Sequence, residues 1–199
     1  MLIDATLRDK TGQGALRAQV EEYDAAGFPD RLLLDDPPGT WRHDRLAVAA
    51  AILFGQRASG RLWFENPVSP LVATAIHEAL PSANLNVGPI DFKPSANLAG
   101  DGTLAVRLVG CDTPVSWQEM RRASKGAVVA LSIARTDQAG GSLRGTFEST
   151  MATNAWLFVN RLVTAGEVAA ALGVVYAETF FTDRIRISAD LPAEVEQRL

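Results

Sequence analysis

Residues 2–35 read LIDATLRDKTGQGALRAQVEEYDAAGFPDRLLLD, and the fold turns on what joins the apolar runs at the two ends. Leu2 to Leu7 is a strand-like run, and Thr11-Gly12-Gln13-Gly14 after it is a turn. Leu16, Val20, Tyr23 and Ala26 then recur on one side at helical spacing. Gly27 is placed as the C-terminal stop of that helix. Arg31 to Asp35 is a buried-strand run. Strand, helix, strand is the unit of a parallel sheet, because parallel neighbours need a crossover and a helix is the usual one.

The pattern continues outward. Pro37-Pro38-Gly39 forces a loop before an alanine-rich helix from about His43 to Phe54. Arg61 to Glu65 is a third strand, and Ser69-Pro70 gives an N-cap and a first-turn proline to a helix ending at Leu80. A short strand at Asn84 to Val87 precedes a loop over 88–102. Strands follow at Leu104 to Val109 and Ala127 to Ile133, with a helix between them starting near Thr113-Pro114. The stretch from about Ser149 to Leu172 reads as helix with a break near Gly166, where Thr164-Ala-Gly-Glu167 has capping-box spacing. Val174 to Phe181 and Arg184 to Ile187 are β-rich, and Ala193 to Leu199 is a terminal helix. The expectation is one α/β domain with a mainly parallel sheet, open or closed into a barrel, and an active site at the C-terminal ends of the strands.

Composition narrows the function. The chain has 199 residues, 47% hydrophobic and 21% charged, enough to bury a core without disulfides. With 19 basic against 23 acidic residues it lacks the positive excess that phosphate backbones demand, so nucleic acids and anionic membranes are not expected partners. Cys111 is the sole cysteine, which excludes an intrachain disulfide and a cysteine-based zinc site. The N-terminus carries no signal pattern and no apolar run reaches about 18 residues. A cytoplasmic location is expected.

Asp35 and Asp36 end the second strand run before the Pro-Pro-Gly loop, where α/β proteins usually bind ligands; the plainer alternative is that they cap a loop. Asp4 and Asp9 flank the first run and carry the same two readings. His43, in the loop that follows, is a candidate proton-transfer group, whereas His77 falls inside a helix. The two histidines lack the spacing of a metal pair, and no metal site is expected. Cys111 precedes a helix start, where a thiol pKa can fall, although an inert buried cysteine is commoner. Gly140-Gly141-Ser142 and Thr11-Gly12-Gln13-Gly14 are glycine-rich enough to cradle a phosphate, or are plain turns. Trp41, Trp63, Trp117 and Trp156 suit either a ligand pocket or the core.

Ile3-Asp-Ala-Thr-Leu7, Ala25-Ala-Gly-Phe28, the run Arg31 to Asp35, His43-Asp44 and Gly60-Arg-Leu-Trp-Phe-Glu-Asn-Pro-Val-Ser-Pro70 occur in the order found in the luciferase-like flavin and deazaflavin oxidoreductases, and the first ninety or so residues resemble that family. The resemblance implies a (β/α) barrel, shortened because family members are longer, with FMN or a deazaflavin at the strand ends. It implies Asp36 and His43 as the catalytic proton-transfer residues. Asp35, Phe64, Glu65, Gly141 and Ser142 are the cofactor-binding residues it implies, with Phe64 and Glu65 at a bulge backing the ring. Asp4-Ala-Thr-Leu-Arg-Asp9 also resembles the opening of metal-dependent aldolase and lyase barrels, but no histidine follows His77 to complete their metal site.

The sequence is therefore read as an oxidoreductase or monooxygenase acting on a small organic substrate. The alternative is a cofactor-free shortened barrel, serving as a non-redox enzyme or as a binding or assembly partner in a biosynthetic pathway. A homodimer through Asp44 to Phe54 and Pro70 to Leu80 is expected, because a barrel short of units leaves apolar faces uncovered.

Overall fold

The computed structural model describes residues 1–81, 84–93, 100–110 and 127–187. Among the described residues nine strands form one mixed sheet: β1 (Leu2–Thr6), β2 (Gly14–Gln19), β3 (Arg31–Leu34), β4 (Arg61–Val68), β5 (Asn86–Ile90), β6 (Gly102–Leu108), β7 (Val128–Arg135), β8 (Glu148–Thr153) and β9 (Thr182–Ile187). Their order across the sheet is β5-β4-β1-β2-β3-β8-β7-β6-β9. The helices are α1 (His43–Phe54), α2 (Pro70–Ala79), the single turn α3 (Thr136–Ala139) and α4 (Ala165–Tyr176).

This overturns the (β/α) barrel. The centre of the sheet, β1-β2-β3-β8, is antiparallel throughout, and β5 and β9 lie at opposite edges. Parallel wings flank that centre, β5-β4-β1 on one side and β8-β7-β6-β9 on the other. Because β8 runs against β3, the two wings point in opposite directions. Their C-terminal ends cannot share one rim.

The expected helix after the first strand is β2. Asp9 makes the turn: its Oδ1 accepts from the Thr11 N–H at 2.7 Å and the Gln13 N–H at 3.1 Å. Gly14, Leu16 and Ala18 then alternate with the more exposed Ala15, Arg17 and Gln19, the period of a one-sided strand. Val20, Tyr23 and Ala26, the other members of the helical pattern, are exposed. Ser149 to Thr153, expected as helix, is β8, paired with β7 along its length. Conversely, Val174–Tyr176 extends α4 instead of opening a strand, and β5 lies later than expected. The Thr113-Pro114 helix, Cys111, Trp117 and the Ala193 helix fall outside the described residues.

α1 and α4 cover the middle of the sheet, and Ala73 and Ile76 of α2 join the same core. α1 links β3 to β4 and α4 links β8 to β9, and they pack antiparallel over the antiparallel centre. Arg42 at the start of α1 meets Glu178 beyond the end of α4, with Nε 3.0 Å from both carboxylate oxygens. At the opposite end Phe54 stands edge-on to Phe158, centroids 5.3 Å apart. Leu46, Leu53, Phe54, Val168, Leu172 and Tyr176 are buried with Leu32, Leu34, Leu104, Val106, Leu131, Ile133 and Met151 from the sheet. α4 starts on a complete capping box, with Glu167 N–H donating to Thr164 Oγ1 and Thr164 N–H donating to Glu167 Oε2. Ser69 caps α2, and Asp44 of α1 accepts from the Ser69 N–H at 2.7 Å.

α4 reaches the sheet through Gly173, where an added Cβ would stand 2.7 Å from Ile185 Cγ2 and 3.1 Å from Val106 Cγ2. Gly173→Val overpacks this contact, and a loss of about 1–3 kcal/mol is expected in urea unfolding. A stability equal to the parent's would show that α4 does not seat there.

The outer end of the β1-β4 wing is tied electrostatically. Glu21 pairs with the Arg61 guanidinium and, at 2.6 Å, with the Met1 α-ammonium, which also lies 2.9 Å from Asp24. The Arg61 hydrogen bond, and then the ammonium, hold the Glu21 carboxyl down at about 2 from an ordinary 4.5. A depressed carboxyl stabilises the fold above its ordinary pKa, and the contribution disappears as pH falls through the folded value. Unfolding free energy measured against pH is therefore expected to fall between about 4.5 and about 2, and Glu21→Gln to flatten that limb. An unchanged limb in the variant would rule the ion pair out as its source.

Candidate functional site

The expected site residues gather at two places. At the first, β3 stops at Leu34 because Asp35 leaves the ladder with one last bond, its N–H donating to the Ala152 carbonyl at 3.1 Å. Pro37 and Pro38 then turn the chain away, and residues 142–145 take over the line beside β8, with Leu143 bridged to Thr150. Asp35 and Ser142 meet at this handover. Asp35 Oδ2 accepts from the Ser142 N–H at 2.9 Å, while Ser142 Oγ accepts from the Ala152 N–H at 2.8 Å. Gly140 and Gly141, at φ 61° and 126°, make the turn that brings Ser142 there.

Asp36 ties three further segments. Its Oδ2 accepts from Arg144 Nε at 2.8 Å, and its Oδ1 lies 3.7 Å from an Arg8 nitrogen of the β1–β2 turn. Its backbone carbonyl accepts from the Tyr176 hydroxyl of α4 at 2.7 Å. Burial pushes the Tyr176 phenol well above its ordinary value, with the Asp36 charge adding to the shift. Arg8, Arg144 and Tyr176 are the members that sequence reasoning missed. Arg144 follows Ser142 by two positions, but nothing local shows a contact spanning 108 residues.

The second place is a concavity at the C-terminal half of β1 and β4, lined by Ile3, Asp4, Ala5, Leu16, His43, Leu46, Phe64, Glu65 and Asn66. His43 is the exposed first residue of α1, and Ile3, Leu16 and Phe64 form a buried floor. The space amounts to about 20 Å³, room for one or two waters. Strand alternation sends Asp4 to the face opposite Ile3, where its Oδ2 accepts from Gln19 Nε2 at 2.7 Å. The pairing of β4 with β5 shifts register between Trp63 and Val68, an irregularity that contains Phe64 and Glu65.

Asp36 and His43, expected to act together, therefore belong to separate places. The Gly141-Ser142 turn does not suit a cofactor phosphate: the Ser142 N–H already serves a carboxylate, whose charge repels a second anion. His77 on α2 is satisfied through Nδ1 by the Leu85 carbonyl at 3.1 Å. Among the described residues no group of three or more His, Cys, Asp or Glu is arranged to hold a metal ion, and no helix is long and apolar enough to cross a membrane. Leu46, Ala47, Ala49, Ala50, Leu53 and Phe54 of α1 are buried in the chain's own core, so those positions are not open to a second copy.

No protein-family model matches the chain, and no curated protein or solved structure does. Function rests on the geometry alone.

Asp35→Ala leaves the part-buried Ser142 N–H without its charged acceptor, a loss of about 1–3 kcal/mol. Amide exchange at residues 141–145 is expected to quicken with it, while α1 and α4 keep their protection. Unchanged exchange in that segment would show that the Asp35 contact does not hold it.

Proposed function

We propose that this chain works as a cofactor-free binding or assembly partner, engaging another protein through apolar side chains held at its surface. The observation that carries the reading is the exposure of large aromatic residues: Tyr23 is 80% exposed, Phe28 77%, Phe92 82%, Phe147 64% and Phe181 73%. Single exposed apolar residues are ordinary; the reading takes these five rings, each with most of its area in water, as separate points of contact for a partner. The carboxylates that would serve chemistry support the same reading, because Asp35 and Asp36 are engaged in joining loops and Asp4 is bonded to Gln19.

The flavin- or deazaflavin-dependent oxidoreductase is the second reading, favoured by the β4 irregularity at Phe64 and Glu65, where the family resemblance puts the ring-backing bulge. Against it stand the small volume beside His43 and the occupied Ser142 N–H. A flavin ring system needs a cleft of several hundred Å³.

Two measurements separate the readings. Sedimentation across micromolar concentrations is expected to show a species heavier than 21.3 kDa, or a complex with a second protein, that is lost when Phe28, Phe147 and Phe181 are changed to serine. Titration with FMN and with a deazaflavin is expected to leave both absorbance spectra unshifted. Saturable flavin binding by a monomer that loses nothing in the serine variant would reverse the assignment.

A further inference from the structure

Residues 140–147, between α3 and β8, are attached to the molecule without burying anything of their own. None of them is buried: Leu143 is 73% and Phe147 64% exposed, and even Ser142 is only half-buried. The attachment is polar throughout. Ser142 N–H donates to Asp35, and Ser142 Oγ accepts from the Ala152 N–H. Leu143 and Thr150 exchange both backbone hydrogen bonds at 2.8 Å. Arg144 places Nε on Asp36 at 2.8 Å and Nη2 on the Pro37 carbonyl at 3.4 Å. Glycines stand at both ends: Gly140 and Gly141 with positive φ at one, and at the other Gly145, where an added Cβ would run into the Glu148 carbonyl.

The two edges of β8 are therefore secured in different ways. Along one it pairs with β7 from Glu148 to Thr153, and Ser149, Met151 and Thr153 are buried. Along the other, β3 reaches Thr153, and the Asp35 N–H reaches the Ala152 carbonyl. The Thr150 N–H and carbonyl and the Ala152 N–H are satisfied by Ser142 and Leu143. A segment with few buried apolar contacts and solvent-exposed hydrogen bonds opens at a small fraction of the global stability. Lifting this one strips no apolar side chain from the core, so the main force that resists unfolding does not oppose it.

We propose that residues 140–146 are a hinged strap that lifts from β8 as one unit while the sheet stays folded, turning on Gly140–Gly141 and on Gly145. Phe147 stays behind, because its carbonyl accepts from the Ala130 N–H of β7. Opening bares the Thr150 N–H and carbonyl and the Ala152 N–H, and releases Asp35 from Ser142 and Asp36 from Arg144. In the closed form these carboxylates serve the chain itself. The open form presents a short strand edge beside them, in the middle of the sheet. This device goes beyond the binding-partner reading and does not rest on the exposed rings, so either can fail without the other.

Strand geometry supplies the control for the test. The Thr150 N–H points at the strap, so the neighbouring Met151 N–H points toward β7. Amide exchange of the full chain, followed residue by residue by NMR, is expected to give Ser142, Leu143, Thr150 and Ala152 one common protection, at least about a hundredfold below that of Met151. Leu143→Pro deletes the N–H that Thr150 accepts, at an exposed side chain. It should lower protection at Thr150 and Ala152 at least about threefold, the worth of one hydrogen bond, and leave Met151 as it was. Thr150 and Ala152 as protected as Met151 in the parent would overturn the proposal, and so would four unrelated protections, which mean fraying. An absence of protection at Ser142 and Leu143 would overturn it too, since no closed form would then exist. A loss at Met151 equal to that at Thr150 in the variant would show that strap and sheet open together, and the hinge would be refuted.

Discussion

The rest of the structure depends on the antiparallel contact between α1 and α4. Each helix is the crossover of one parallel connection, from β3 to β4 and from β8 to β9, so each is bound to a different wing. Both helices are rich in small buried residues, Ala47, Ala49, Ala50 and Ala51 on one and Ala169, Ala170 and Ala171 on the other. Where backbones come close, the gain is spread over many dispersion contacts. At the ends the pairing is specific, through Phe54 with Phe158 and Arg42 with Glu178. The Arg42–Glu178 pair also opposes two unfavourable placements, a cation at the start of one helix and an anion past the end of the other.

Magnitudes decide what holds the wings together. Exposed ion pairs such as those of Asp36 with Arg8 and Arg144 are worth roughly 0–1 kcal/mol each. Fully burying a leucine is worth about 1.5–3 kcal/mol, and Leu16, Leu32, Leu34, Leu104, Leu131 and Leu172 are all fully buried. The core joins the wings, and the Asp35–Asp36 contacts set the path of two loops across the join. They are arranged for position more than for strength.

Elements fixed by local chemistry were legible in the sequence. Ser69-Pro70, the Thr164 to Glu167 capping box and the Pro37-Pro38-Gly39 break each satisfy or remove backbone bonds within a few residues, and each stands where it was expected. The errors fell where two periodicities coexist. Leu16 and Val20 fit a helix, while Gly14, Leu16 and Ala18 fit a strand, and pairing with both β1 and β3 decides for the strand. Ser149 to Thr153 is similar: methionine and alanine permit helix, and the neighbour β7 makes it strand. The proximity of Asp35 to Gly141 and Ser142 was anticipated only as a common cofactor site, and the geometry turned it into a contact of the chain with itself. A sequence shows which residues have chemistry to offer, but not whether another part of the chain has already engaged it.

The sheet edges limit how such a protein can associate. β5 carries Pro89, which has no N–H to donate, and β9 carries Asp183, Arg184 and Arg186 among its six residues. Proline and charge are the usual means by which edge strands resist pairing with another chain. Strand addition is therefore disfavoured at both edges. The apolar surface that stays open belongs to side chains instead, Phe28 and Leu162 at one place and Leu143 and Phe147 before β8 at another. Association through such positions is set by the shape and placement of the side chains instead of by the backbone ladder. That permits selectivity for a partner, because placed side chains reject a surface that does not match them whereas an open strand edge accepts almost any extended one.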